Sequence, residues 1–383
     1  MTDPATQPVH PNPVHPIPVH PNPVHPIPVH PIPVHPIPVH NPIPYLSVII
    51  PIYNGESDLP GLLACLTAQT YPRDRVEYLI VDNGSTDDTL ALLQAFETQA
   101  INLKVLQEPT IQSSYAARNE GIRSARSPFL AFTDADCRPE PDWLINLIKP
   151  FTQDTRLGWV AGEVIALESH NWLECYADRQ GTLSQTHTLA HPFKPYGQTA
   201  NLAIRRDCFE TIGGFRPHLT TGGDADICWR ILQHPSVTWH FAQDAIVKHH
   251  HRSTLPELLS QWRRYGKSNQ FLHQIHGISL QPRPKLSYYL YRSARWMLKE
   301  LPVALINRSQ PDLVSTPIGL LCLNARWTGQ QQSQMDAKAH GIAPIPALQS
   351  RRPATALPDA SVNASVNPSI HRSAVVNSKI RRN

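Results

Sequence analysis

Asp134 and Asp136 stand two positions apart in the stretch PFLAFTDADCRP, immediately after the apolar run 129–133. That run is short, carries two phenylalanines and follows Pro128, so it reads as a buried strand. Paired carboxylates at the end of a buried strand are costly unless positive charge neutralises them. A divalent cation does so economically: hard oxygen donors suit Mg2+ or Mn2+, and such ions commonly bring substrate phosphates with them. Taken alone, the pair is better explained as an acidic turn leading into a helix near Asp142. The elements around it have to decide.

Those elements are read from periodicity. Residues 46–51, LSVIIP, form a continuous β-branched run and read as a buried strand, with a loop at 52–55 after it. Leu59, Leu62, Leu63 and Leu66 recur at helical spacing within 57–69. EYLIVD at 77–82 is a second strand, closed by an Asn83-Gly84 turn. Ser85 is a suitable N-cap, with Asp87 and Asp88 in the first turn of a helix through Phe96. A third strand at 103–106 and a helix at 113–125, carrying Arg118 and Asn119, lead into the acidic strand. Alternating strands and helices predict an α/β fold with a mostly parallel sheet and helices on both faces. Such sheets bind ligands at the carboxyl ends of their strands. Asn54, Asp82, Asp134 and Asp136 all fall just past a strand end and gather on one rim. The chain has neither G-x-G-x-x-G nor G-x-x-x-x-G-K, so a metal has to do the phosphate binding.

The two ends of the chain differ from its middle. Residues 1–44 repeat P-V-H-P-(N or I), with histidines in register from His10 to His40. Proline at this density removes backbone donors and predicts an extended arm, read as a spacer in preference to a weak metal binder. From about Thr328 the chain is polar, without hydrophobic period, and is expected to be disordered. Seven basic residues against two acids give that tail +5, and the arm carries only Asp3. The formal +4 of the whole chain therefore leaves residues 45–327 neutral, which argues against a nucleic-acid-binding domain. Attraction of the tail to an anionic membrane surface is the functional reading of its charge. Six scattered cysteines without C-x-x-C imply neither a zinc site nor a disulfide framework, and fit a reducing compartment. The sequence offers no secretory signal pattern and no apolar run of about 18 residues. The expected location is cytoplasmic, with peripheral contact to the inner face of a membrane.

LSVIIPIYNG, VDNGSTDDT, AARNEGIRSA and FLAFTDADCRP, in this order, resemble the family 2 glycosyltransferases of the GT-A fold. QTANLAIRRDCFETIGGFRP, GGDADICWRI and VKHHHRSTL followed by RRYGKS extend the resemblance over about residues 46–269. The resemblance implies inverting transfer of a sugar from a nucleotide diphosphate sugar, a UDP-sugar by preference. The acceptor would be a hydroxyl on a glycan, lipid or other cell-envelope acceptor. By the same resemblance Asp82 contacts the nucleobase, Pro51, Tyr53 and Asn54 line its pocket, and Arg118 faces the diphosphate. Asp134 lies near ribose and metal, Asp136 binds the metal, and His249 completes the metal shell, with His251 a close alternative. Asp224 is the implied general base, at the start of a helix whose N-terminus would lower its pKa. Asp226 and Trp229 fall on the acceptor side. Each also has a plainer explanation, Asp226 as a brace to Arg230 and Trp229 as core packing. The family usually has Glu before the catalytic Asp; here Gly223 stands there, which bears on acceptor binding.

Beyond the motifs, 253–274 reads as a helix in which Gln261 to Tyr265 echoes the Q-x-x-R-W pattern of processive members. Without membrane-spanning helices a single-addition enzyme is expected. Residues 285–306 mix apolar and basic side chains, as an interfacial helix would, or one packed on the domain. The expected organisation is an arm (1–44), a GT-A catalytic domain (45–254), a helical extension (255–327) and a basic tail (328–383). Two other readings compete. A sugar-nucleotide pyrophosphorylase would need a cationic Gly-rich loop where PIYNGESDL stands. A degenerate scaffold or sugar-binding module would not need to keep Asp82, Asp134, Asp136 and Asp224 together.

Overall fold

A computed structural model describes residues 43–97, 101–169 and 171–348; residues 1–42 of the repeat arm and 349–383 of the basic tail lie outside them. β1 (Leu46–Ile52), α1 (Leu59–Thr67), β2 (Val76–Asp82), α2 (Thr89–Glu97), β3 (Leu103–Gln107), α3 (Ser114–Ser124) and β4 (Phe129–Phe132) alternate through the first part. Next come β5 (Cys137–Pro139), α4 (Trp143–Gln153), β6 (Leu157–Ala166), α5 (Trp172–Arg179) and α6 (Gln185–Leu189). β7 (Leu202–Arg205), α7 (Arg206–Ile212), α8 (Gly223–Ile231) and β8 (Thr238–His249) complete the sheet. α9 (Leu255–His276), α10 (Leu286–Arg295), α11 (Leu301–Ile306) and α12 (Gln310–Gln332) follow.

The eight strands form one sheet in the order β3-β2-β1-β4-β7-β6-β8-β5. The first four are mutually parallel, β7 runs antiparallel to β4 and β6, and β5 runs antiparallel to β8. This is the mixed, mostly parallel sheet the sequence predicts. The pleat of β1 sends Val48 and Ile50 into the core layer under α1 and α4, and Ile49 into the layer that contains Ile122 of α3 and Ile227 of α8. Each of these side chains is fully buried, worth about 1.5–3 kcal/mol relative to exposure. Burial on both faces explains why β1 reads as an unbroken apolar run.

The structure corrects two expectations and refines a third. The helix expected at Ser85 begins at Thr89, because the Ser85 hydroxyl instead accepts from Asn54 N–H (2.9 Å), tying the loops after β1 and β2 together. Residues 286–306 keep one continuous helical path as expected, but it passes through a π-helical turn at Trp296–Glu300 between α10 and α11, and within these elements only Ala304 is buried. The tail does not start at 328. α12 runs to Gln332, and residues 337–345 fold back on the body, where Ala343 exchanges backbone hydrogen bonds with Gly214 (2.8 Å) and Phe215 (3.4 Å). Ala339, Ala343 and Ile345 are buried there. Short apolar residues separated by polar ones carry no period, which is why this segment looks structureless in the sequence.

α9 and α12 cross closely. A Cβ on Gly266 would lie 1.8 Å from the Arg326 carbonyl oxygen, and one on Gly329 would lie 2.1 Å from that of Arg263. Only glycine allows this approach of two helix backbones. It fixes α9 and α12 against each other, and Gln261, Arg264 and Tyr265 of α9 reach the cleft at the acidic rim.

Candidate active site

The carboxyl ends of β1 and β4, the turn after β4, the end of β8 and the start of α8 enclose a cleft of about 520 Å3. Pro51, Tyr53, Asn54, Arg118, Asp134, Asp136, Asp224 and His249 all line it. A side cleft of about 270 Å3 continues between Pro51, Tyr53, Asn83 and Ser113. Asn54 takes a left-handed conformation (φ 48°), and its Oδ1 accepts from Thr86 N–H (2.8 Å). It therefore shapes the loop as well as lining the cleft. Asp82 lines neither cavity. It is 3% exposed, and its carboxylate accepts from the N–H groups of Gly84 (3.2 Å) and Ser85 (3.3 Å), so it holds the turn while Asn83 reaches the side cleft.

The acidic turn is held from outside. Arg138 donates to the carbonyls of Cys137 (2.8 Å) and Ala135 (3.2 Å) and to Asp58 (3.1 Å). Arg118, buried on α3, pairs with Asp134 and donates to Ser114 (3.0 Å). Asp134, Asp136, Cys137 and His249 bring one ligand atom each within 4.8 Å of the others. Antiparallel pairing sets Cys137 opposite His249, which places the end of β8 beside Asp136. His249 Nδ1 lies 2.7 Å from the His250 carbonyl oxygen, so Nδ1 carries a proton and Nε2 is the ring nitrogen turned to the acidic pair. That Nε2 faces Asp136 Oδ1 at 3.3 Å. An imidazole nitrogen this close to a carboxylate takes a proton or a metal between them, and two carboxylates beside an imidazole are a donor set that fits a hard divalent ion. Burial, then the charges of Asp134 and Asp136, push the Cys137 thiol well up; oxygen and imidazole are the donors that a hard ion prefers. His251 points elsewhere: its Nε2 is 3.8 Å from Asp178 on α5.

Asp224 sits in the first turn of α8, behind Gly222 in a left-handed conformation (φ 82°). Thr199 donates to its Oδ1 at 3.0 Å. Contrary to the expectation of a lowered pKa, burial raises it and the Asp134 charge adds to this, opposed by Arg118 and the Thr199 hydrogen bond. Gly223 N–H donates to the Tyr115 hydroxyl (2.9 Å), and a Cβ on Gly223 would come within 2.6 Å of that ring. Tyr115 thus fills the place a side chain at 223 would take.

The acceptor-side assignments of Asp226 and Trp229 are wrong. Asp226 is fully buried and bonded to Arg216 (3.1 Å), Arg230 (3.0 Å) and His276 (2.9 Å). Trp229 is equally buried, packs against Tyr196 and donates to the Lys194 carbonyl (2.9 Å). Neither can touch a ligand. α8 is enclosed on nearly every side, so a polar residue on it need not face the cleft. Thr199 and Tyr115 were missed, since their partners lie 25 and 108 residues away in sequence. Among the described residues, no helix is long and apolar enough to cross a membrane.

A sequence model described as Glycosyl transferase family 2 matches residues 47–215. The chain is 35% identical over 240 residues to glycosyltransferase AglE of Haloferax volcanii, covering 62% of this chain and 77% of that one. It is 28% identical over 233 residues to a pre-mycofactocin glycosyltransferase of Mycobacterium tuberculosis, covering 58% of this chain and 46% of the relative. Its fold is similar to that of a mannosyltransferase from Pyrobaculum calidifontis solved with GDP-Man and Mn2+ (TM-score 0.53, 20% identity, 76% of this chain and 88% of the other).

Proposed function

The chain belongs to glycosyltransferase family 2, and from this premise we propose a divalent-metal-dependent, inverting transfer of sugar from a nucleotide diphosphate sugar to an acceptor hydroxyl. The observation that carries the proposal is the convergence of Asp134, Asp136 and His249, with His249 Nε2 3.3 Å from Asp136 Oδ1, in the same cleft as Asp224. Asp136, His249 and Asp134 would hold Mg2+ or Mn2+, which when bound neutralises the leaving diphosphate. Arg118, already paired with Asp134, adds fixed positive charge on that side. The side cleft by Pro51, Tyr53 and Asn83 suits the nucleobase, uridine by preference.

Asp224 is the base. In a direct displacement the acceptor oxygen bonds to the anomeric carbon and the bond to the diphosphate oxygen breaks. The electron pair leaves on the diphosphate, and the acceptor proton passes to Asp224. One displacement inverts the anomeric carbon. The burial that raises the proton affinity of Asp224 favours this role.

The acceptor is a glycan or a lipid-linked molecule, reached with the protein on a membrane surface. Leu286, Leu290, Leu298 and Ile306 are 63–80% exposed on α10, α11 and the turn between them. Six basic residues and one acid, Glu300, lie within 283–308, which matches an anionic lipid surface. The test is a panel of nucleotide diphosphate sugars with Mn2+, read as melting temperature and released nucleoside diphosphate. One donor should stabilise the protein by mass action and be turned over. No binding by any donor, with or without metal, would refute the reading.

A further inference from the structure

We propose that a second chamber opening onto Asp224 is the acceptor site, and that the acceptor it takes carries an anionic group, phosphate or carboxylate. This rests on the transferase reading and deepens it by naming the acceptor class. The chamber has a volume of about 840 Å3, within the range of small-molecule sites. Asp224, Gln198, Thr221 and Tyr265 line both it and the catalytic cleft, so the two meet at the base. Much of its wall comes from α9, α10 and α12, beyond the residues 47–215 that match the family.

Its charge is one-sided. Arg292 and Arg326 line it, and Asp224 is the only carboxylate among the lining residues. Neither arginine forms an ion pair among the described residues. Arg326 donates to Asn269 Oδ1 (3.2 Å) and Arg292 to Thr316 Oγ1 (3.1 Å). The acid beyond Thr316, Glu300, accepts from that hydroxyl (2.5 Å) and from Arg295 (3.0 Å). Seven buried side-chain polar atoms among the described residues lack a hydrogen-bond partner. Three belong to this wall: Arg292 Nε, Arg326 Nε and Trp262 Nε1.

All three are donors, so the missing partner is an acceptor of hydrogen bonds. Both arginines are half-buried and without a counter-ion among the described residues, and orphaned buried donors such as their Nε atoms are uncommon in folded proteins. A planar guanidinium matches the paired oxygens of phosphate or carboxylate. Tyr196, Trp262, Tyr265 and Tyr288 add aromatic faces for a sugar ring or an apolar chain. The glycine-permitted crossing of α9 and α12 brings the Arg326 backbone against Gly266, next to Tyr265.

The test uses the full chain, saturated with Mn2+ and nucleoside diphosphate so that the donor cleft is filled. Calorimetry compares glucose 1-phosphate with methyl glucoside, and farnesyl phosphate with farnesol in nonionic micelles. In at least one pair the charged member should bind about tenfold tighter or more. Selectivity confined to the first pair marks a soluble acceptor, and to the second a lipid-linked one. Arg326→Gln should abolish the preference, Arg326→Lys should keep part of it, and nucleoside diphosphate affinity should not change in either. Arg292→Gln serves as an independent variant, with melting temperature as the check on folding. Equal affinities within both pairs, or a preference that survives Arg326→Gln and Arg292→Gln, overturn the proposal. Failure of nucleoside diphosphate to bind with Mn2+ instead refutes the transferase reading.

Discussion

Thr199 Oγ1 donates a 3.0 Å hydrogen bond to Asp224 Oδ1, joining the turn before β7 to the first turn of α8. The bond aims the carboxylate and favours its ionised form, against the burial that raises its pKa. A base must be ionised to act, so activity falls as pH drops through that pKa. Thr199→Val removes a lowering influence and should shift the acid limb of the kcat/KM profile to higher pH. An unmoved limb in parallel pH–rate profiles would mean that Asp224 is not the titrating base.

Asp224→Asn should fold and bind donor and metal like the parent, yet lose about 10²–10⁴-fold or more in transfer. The loss should fall on kcat, because the group acts in the transition state. Steady-state kinetics beside donor titration separates the two quantities. Transfer at the parental rate would move the base elsewhere, and Asp226 would not replace it, since it is fully buried.

Asp136→Ala and His249→Ala should each abolish Mn2+-dependent binding of nucleoside diphosphate, whereas His251→Ala should not. The contrast follows from 3.3 Å between His249 Nε2 and Asp136 against the turn of His251 toward Asp178. Calorimetry with and without chelator reads it directly; chelator-resistant binding would exclude the metal.

Asp226→Asn should destabilise the fold by about 3–5 kcal/mol, because it leaves Arg216 and Arg230 buried without their anion. Although burial opposes it, the charges of Arg230 and Arg216 and the His276 hydrogen bond hold the Asp226 pKa far below the usual carboxylate value. A depressed carboxylate stabilises the fold above its unfolded pKa of about 3.9, and that stability is lost as pH falls toward the folded value. Melting temperature against pH should therefore fall less steeply on the acid side in the Asn variant than in the parent.

Shortening the chain to residues 45–347 should preserve the melting temperature, whereas ending it at 327 should lower it sharply. The shorter form loses the last turn of α12, the Ala343 hydrogen bonds to Gly214 and Phe215, and the Arg216 bond to the His340 carbonyl. Thermal melts of the two forms decide where the domain ends.

The rim of acidic residues was legible from the sequence because strand ends are. A buried strand shows as an apolar run, and a carboxylate at its end lies near the rim, though Asp82 turns back to hold its own turn instead of lining the cleft. This placed Asp134 and Asp136 beside the cleft, and the family resemblance pointed to Asp224 at the start of a helix. The choice of His249 over His251 depended on tertiary structure: β5 pairs with β8 in the register that sets Cys137 opposite His249, and His251 lies past the strand end. Pairing partners far apart in the chain leave no local pattern. For the same reason Thr199, Tyr115 and the Arg326 wall could not be read in advance. Asp226 and Trp229 were misplaced because a short helix buried all round loses the amphipathic stripe that tells inside from outside.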